Sequence, residues 1–292
     1  MKQVLLKHQI PCARGVVLTR NDPITSKFTG DFTYPFVIKP VDAHSSRGVF
    51  IVNSPGEIEE YENTVRSFSG NGELMLEEYI TGREYSIESL TFRGRTEVIQ
   101  ITEKFITPEP YTVELGHLQP APVSESEKIS IHQTVKKTIK AFELDNCATH
   151  TEIKMTVSGP VIIEIAARLG GDFISSILTL TSTGIDMDDA LIRISLGESP
   201  DLSAKVNRFS YIKYLELKPG SRIRRIKDWQ EIFKEKGLIH AGIMINEGQI
   251  VPKISDSSKR SGFVLVSGQS REEVMKRADY NLIRLKEHII LN

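Results

Sequence analysis

Apolar residues recur along this chain in two alternating rhythms. Short runs rich in Val, Ile and Phe have the character of strands. Longer stretches with apolar side chains three or four apart have the character of amphipathic helices, and the interleaving predicts a mixed α/β architecture. A first helix is expected over about 2–8, ending at Ile10-Pro11, where the proline drives its predecessor out of helical geometry. Strands are expected over 15–18, 35–39 and 49–52. Ile58, Tyr61, Val65 and Phe68 then fall at helical spacing behind the start signal Ser54-Pro55-Gly56-Glu57. A strand pair at 74–79 and 84–92 follows, and Arg93-Gly94-Arg95 reads as a hairpin turn into 96–103.

The stretch 106–123 carries four prolines and reads as a long loop with a short extended piece, the kind of connection that often carries function. A strong helix is expected over 124–142, with Ile131, Val135, Ile139 and Phe142 on one side. Strands at 149–156 and 161–165 turn at Ser158-Gly159-Pro160, and helices follow near 172–181 and 186–196. Beyond Gly197-Glu198-Ser199-Pro200 the pattern becomes strands with one closing helix, striped by Val274, Ala278, Leu282, Leu285 and Ile289. A subdomain boundary is placed near 200–208.

The composition narrows the function classes. The chain has 292 residues, 39% hydrophobic and 26% charged, which fits a folded protein of about two domains and excludes a disordered one. Lys and Arg number 37 against 38 Asp and Glu, a net charge of −1, so bulk charge does not grip nucleic acid, and no nucleic-acid partner is expected. No apolar stretch is long enough to span a bilayer, the first residues are too polar for a secretory core, and no membrane association is expected. Cys12 and Cys147 make neither a disulfide framework nor a metal-ligand spacing; they suit a reducing, cytoplasmic setting.

Two common nucleotide signatures are missing. There is no G-x-x-x-x-G-K-[ST], and Gly70-Asn71-Gly72 lacks the third glycine of a dinucleotide fingerprint. Three other segments carry candidate chemistry. In the first, Pro35-Phe36-Val37-Ile38-Lys39-Pro40, an apolar strand ends on a lysine, and a small polar loop with Ser45 and Ser46 follows, suited to phosphate oxygens. A snorkelling lysine beside a surface loop explains that segment equally well. The second, 76–88, puts Glu84, Ser86 and Glu88 on one face of a strand; alone, such a row is more often a solvated face. The third places Glu152 and Glu164 in neighbouring apolar strands across a tight turn. Two such carboxylates repel unless a cation or shared proton lies between them, so a hard divalent ion is favoured over ion bridges to Lys154 or Arg168.

In this order and spacing the three segments resemble the ATP-grasp superfamily, which includes D-alanine–D-alanine ligase, biotin carboxylase and the large subunit of carbamoyl phosphate synthetase. The resemblance covers about residues 1–200, with a weaker echo at 257–268. It implies an α+β fold of two α/β lobes with mainly antiparallel sheets, a nucleotide cleft between them and a β-rich carboxy-terminal extension. The implied divisions are 1–15, a remnant or linker helix; 16–75, the lid; 76–204, the large subdomain with the metal site; and 205–292, the extension with its final helix.

By the same resemblance ATP and Mg²⁺ (or Mn²⁺) are the cofactors. Lys39 matches the lid lysine on the nucleotide phosphates, and Ser45-Ser46 match the phosphate-covering loop. Glu77 matches the hinge glutamate near adenine, with Glu78 beside it and the Tyr79-Ile80 backbone along the adenine edge. Glu84 matches the carboxylate on the ribose, Glu152 and Glu164 the metal ligands, and Arg168 the arginine facing the reacting phosphate. The implied activity is that of a carboxylate–amine (or thiol) ligase working through an acyl phosphate on small carboxylic acid and amine substrates. The alternative is a catalytically degenerate ATP-binding subunit.

Departures from the family pattern bear on the details. Ala166 replaces a frequent asparagine ligand, Ala43 and His44 stand where the phosphate loop often has glycine, and no complete amino-terminal domain precedes the match. On this last point the expectations are a truncated piece, a divided gene, a reduced enzyme or a separate partner that supplies the missing domain; a homodimer is the other association expected. His117 and His150 are the candidates for a general base, although lone histidines are more often structural. The basic segment Ser257–Phe263 is expected to be a solvated loop.

Overall fold

The computed structural model describes residues 1–25 and 32–292. Residues 26–31, which fall within the expected lid, lie outside the described residues. In chain order the elements begin with α1 (Lys2–Lys7), β1 (Gly15–Leu18), β2 (Phe36–Pro40), β3 (Phe50–Val52), α2 (Pro55–Ser67) and β4 (Leu74–Glu78). Then come β5 (Arg83–Phe92), β6 (Arg95–Ile106), β7 (Glu114–Gln119), α3 (Glu125–Ala141), β8 (Cys147–Thr156) and β9 (Gly159–Ala166). A π-helix (Ile174–Thr179) runs into α4 (Leu180–Thr183) and is followed by α5 (Met187–Ser195). The last part contains β10 (Phe209–Tyr214), β11 (Ile223–Ile226), β12 (Leu238–Ile243), β13 (Gly262–Gly268), α6 (Arg271–Glu287) and β14 (Ile289–Leu291), with 3₁₀ turns at Gln230–Lys234 and Ser257–Lys259.

Local chemistry accounts for several of these boundaries. Pro55 opens α2 behind an extended Ser54, where a missing N–H costs nothing. Ser124 and Glu127 form a reciprocal capping box at the start of α3. Arg93 and Gly94 both take positive φ (49° and 76°), the two-residue turn whose twist matches a β-hairpin.

The segment 106–123 is more regular than its prolines suggest. β6 runs to Ile106 and β7 occupies Glu114–Gln119, so loop is confined to 107–113 and 120–123; Pro108 and Pro110 lie in the first and Pro120 and Pro122 in the second, all outside the ladder. The helix expected at 172–181 begins instead with Asp172 and Phe173 in left-handed geometry (φ 51° and 62°) and a π-helix.

Two larger sheets organise the fold, and their strand pairs are antiparallel; β11 and β14 form a separate antiparallel pair. The small one has the order β1-β4-β2-β3, and its core is formed by Leu18, Phe36, Ile38, Leu74 and Leu76 against Val65 of α2. The large one has the order β12-β13-β10-β7-β6-β5-β8-β9. Strands β10, β12 and β13 of the carboxy-terminal part thus continue the same sheet as β5–β9, joined where Ile212 pairs with His117. One face of this sheet is apolar and covered by helices. Ile131, Val135 and Ile139 of α3 pack with Tyr85, Ile87, Ile153 and Ile162, and Leu5 and Ile10 of the first segment belong to that core. Val274, Ala278 and Leu285 of α6 pack with Tyr211, Val264 and Val266. The other face is polar across the middle of β5–β8 and apolar at two places, where Ile212, Tyr214, Phe263 and Leu265 pack against Ile174 and Leu178 of the π-helix and where Leu90 and Ala148 pack against Met187, Ala190 and Ile194 of α5.

Candidate functional site

Strand alternation builds the polar face. On β5, Glu84, Ser86 and Glu88 share one side, and the register sets them opposite Lys154, Glu152 and His150 of β8. Glu152 in turn pairs with Glu164 of β9, and His150 with Ala166. On the other flank Ser86 and Glu88 face Thr102 and Gln100 of β6, and Lys104 faces His117 of β7. Far from being solvated, this row is largely enclosed: Ser86, Glu88 and Thr102 are fully buried. A surface hollow lined by Arg83, Glu127, Met155 and Val157 opens on the opposite side and holds none of these groups.

Lys104 is the hub. Its side chain is 3% exposed, with Nζ 2.7 Å from Glu84 Oε1, 3.0 Å from Glu152 Oε2 and 3.6 Å from Glu114 Oε1. Burial works against its charge, but Glu152, Glu84 and Glu114 outweigh that and hold its pKa well above the ordinary lysine value. Burial likewise opposes the charge on Glu152, and Lys104 with His150 overrides it, holding this carboxyl well below the usual range. The ion partners of Glu152 are therefore Lys104 and His150, while Lys154 stands 4.0 Å from Glu84 and 4.6 Å from the Tyr79 ring centroid.

His150 is buried between two acids. Its Nδ1 lies 2.5 Å from Glu88 Oε1 and its Nε2 3.4 Å from Glu152 Oε1. Burial disfavours its charge, yet Glu88 and Glu152 push its pKa up to about 10. An imidazole with both nitrogens committed to carboxylates has no free lone pair for base chemistry. Glu88 also accepts from Ser175 Oγ (2.6 Å) and Gly170 N (3.0 Å). Position 170 has no room for a side chain: a Cβ there would stand 2.6 Å from Glu88 Oε1 and 2.8 Å from His150 Nδ1.

The small sheet contributes a second cluster. Val37 pairs with Glu77, so Lys39 lies diagonally beside it on the same side, and Lys39 Nζ is 2.5 Å from Glu77 Oε2. Lys2 holds the other oxygen and donates to Ala13 O at 2.5 Å. Glu77, 3% exposed, is thus enclosed by two ammonium groups. Glu78 pairs with Arg14, and Tyr79 and Ile80 lie in the short connection between the two sheets.

Ser45 and Ser46 both adopt left-handed φ (62° and 57°). Ser46 Oγ donates to Thr112 O at 3.2 Å, and Ser45 O accepts from Ser257 N at 3.3 Å. The loop thereby reaches the 107–113 segment and the carboxy-terminal part. Arg168 is exposed and donates Nη1 to Leu169 O at 2.8 Å.

The acids Glu152 and Glu164 sit directly across from each other, which for antiparallel neighbours puts their side chains on one face about 5 Å apart at Cβ. Glu164 is exposed and has no ion pair among the described residues. No group of three or more His, Cys, Asp or Glu is arranged to hold a metal among the described residues. Two carboxylates suit Mg²⁺, which typically takes one or two from protein and completes its shell with water and substrate phosphates.

Two participants escape the sequence. Lys104 falls in phase with the glutamate row on the next strand, so alternation of Gln100, Thr102 and Lys104 is the signal that could have found it. The expectation of a solvated loop at 257–263 is corrected: Ser257, Arg260 and Ser261 are 8%, 6% and 2% exposed. Arg260 forms a bidentate pair with Asp172 (2.7 and 2.8 Å), and His117 Nε2 lies 3.3 Å from the same carboxylate. An arginine can be buried when its fork is matched in this way.

Comparison with known proteins bears on the family and the fold. Residues 32–176 match the ATP-grasp domain family, and the chain belongs to the ATP-grasp proteins. Residues 214–286 match the L-amino acid ligase C-terminal domain 2. The D-alanine–D-alanine ligase of Flavobacterium psychrophilum is 28% identical over 174 residues, 57% of this chain and 52% of that protein. The alanine–anticapsin ligase of Bacillus subtilis is 30% identical over 194 residues, 58% of this chain and 40% of that protein. The chain thus spans about half the length, or less, of these two curated relatives. The crystal structure of L-amino acid ligase from Bacillus licheniformis superposes with a TM-score of 0.81 at 21% identity, covering 99% of this chain and 70% of that one. Among the described residues no helix is long and apolar enough to cross a membrane.

Proposed function

We propose that this chain is the ATP- and metal-binding part of a ligase that activates a carboxylate as an acyl phosphate and joins it to an amine. The observation that carries this reading is the single polar face on which Glu84, Glu152 and Glu164 stand together, with the Lys39–Glu77 pair on the adjoining small sheet. Lys39 and the Ser45-Ser46 loop bind the nucleotide phosphates. Glu77, Glu78 and the Tyr79-Ile80 backbone line the adenine side, and Glu84 takes the ribose. Glu152 and Glu164 hold Mg²⁺ or Mn²⁺, which when bound supplies charge neutralisation for phosphoryl transfer.

In this reaction a substrate carboxylate oxygen bonds to the γ-phosphorus as the bond to ADP breaks. The amine then bonds to the acyl carbon, the C–O bond to phosphate breaks, and the departing phosphate takes up the amine proton. Lys39 and Arg168 are the cations assigned to the charge that builds on the transferring group. The D-alanine–D-alanine, alanine–anticapsin and L-amino acid ligases named above carry an amino acid in their names, which supports small amino acids as acid and amine. The free thiols of Cys12 and Cys147 support a reducing, cytoplasmic setting.

A second reading, a nucleotide-binding subunit without turnover, draws on Glu152 already being neutralised by Lys104 and His150 without a metal. The deciding experiment measures Mg²⁺-dependent ADP release with a panel of L- and D-amino acids. Release that requires an added amino acid, and that Glu164→Gln abolishes, is expected. Nucleotide binding with no release on any acid favours the second reading, and release that persists in Glu164→Gln overturns the metal assignment.

A further inference from the structure

The carboxy-terminal part sends one arginine into the polar face, and every contact it makes is internal. Arg260 donates Nη1 and Nη2 to the two oxygens of Asp172 and Nε to Ser257 O at 2.9 Å, and Nη1 lies 3.4 Å from Glu114 O. Its guanidinium carbon stands 3.7 Å from the Tyr214 ring centroid. A fork so fully engaged and stacked has little left to offer a substrate, so any part it takes in the reaction passes through another residue.

That residue is Asp172. It closes the loop 168–173, which carries Arg168, and with Phe173 it forms two consecutive left-handed non-glycine residues. Such backbone is strained and persists only where neighbours over-determine it. The same loop is held at its middle by Gly170 N, which donates to Glu88 Oε2 (3.0 Å) and Ser175 Oγ (2.8 Å). The turn that bears Arg260 also reaches the phosphate loop, through Ser257 N to Ser45 O, and the acid cluster, through Ser257 Oγ to Glu114 Oε2 at 3.0 Å.

We propose that Arg260 is a positioning residue: through its paired hydrogen bonds to Asp172 it fixes the 168–173 loop, so that the carboxy-terminal part sets the reacting geometry without touching substrate. This deepens the ligase reading and rests on it for the catalytic consequence, whereas the anchoring of the loop stands apart from it.

The test compares wild type with Arg260→Lys, which keeps the charge but loses the planar fork. Three quantities are measured: hydrogen exchange of the 168–173 amides, affinity for a fluorescent ATP analogue, and dipeptide formed per ADP released with an amino-acid panel. Exchange in the loop is expected to rise at least tenfold, nucleotide affinity to stay within about twofold, and product per ADP to fall severalfold as acyl phosphate is lost to water. Unchanged exchange in the loop overturns the proposal, as does a parallel loss of nucleotide affinity and melting temperature with product per ADP unaltered. Should Arg260→Lys fail to fold, Asp172→Asn carries the same comparison. If wild type releases no ADP with any amino acid, the ligase reading fails by itself, and the exchange measurement still decides whether Arg260 anchors the loop.

Discussion

Glu152 and Glu164 face each other across β8 and β9 but live in different electrostatic surroundings: the first is held by Lys104 and His150, the second is exposed. The asymmetry separates stability from activity. Glu164→Gln is expected to change unfolding free energy by less than about 0.5 kcal/mol, as exposed substitutions usually do, while abolishing amino-acid-dependent ADP release. Glu152→Gln leaves Lys104 and His150 short of a carboxylate and is expected to cost about 1–3 kcal/mol as well as activity. Chemical denaturation beside a coupled ADP assay checks both.

Gly170 is required by space. A methyl group there meets Glu88 and His150, and Gly170→Ala is expected to destabilise by about 1–3 kcal/mol, the usual range for overpacking. Thermal melting measures this, and a variant as stable as wild type would show that the Glu88–His150 contact is not tightly enforced.

Lys39 has a test of its own. Glu77 keeps Lys2 as a partner when Lys39 is lost, so Lys39→Met is expected to fold with little change in melting temperature. Affinity for ATP is expected to drop at least tenfold, read by titration with a fluorescent nucleotide. Unchanged affinity removes Lys39 from the phosphate site.

Asp172 makes a pH-dependent contribution of known sign. Burial raises its pKa, but Arg260 and His117 reverse this and hold it well below the ordinary 3.8, so the folded state favours the ionised form. The stabilisation is therefore complete above about pH 5 and is lost as pH falls below the unfolded value toward the folded one. The stability gap between wild type and Asp172→Asn is expected to be widest near neutrality and to shrink between pH 5 and pH 3, measured by urea unfolding across that range. A gap that widens on acidification contradicts the pairing.

Much of the fold is legible along the chain because its signals are local. Capping at Ser124, the Pro55 start, the Arg93-Gly94 turn and the period-two glutamate row each depend on neighbours within a few positions. The relation between Glu152 and Glu164 is legible for the same reason, since one tight turn separates their strands. What the chain conceals is contact between residues far apart in order. Lys104 joins acids from β5, β7 and β8, and Arg260 crosses to Asp172, 88 positions away. A charge in a sequence carries no record of its partner, so burial of Arg260 and Glu88 reads as improbable until tertiary packing supplies the matching groups. Local periodicity determined which side chains share a face of a strand. The register of eight strands from both halves of the chain decided which faces meet, because hydrogen-bonded pairing across a sheet is settled by the whole assembly.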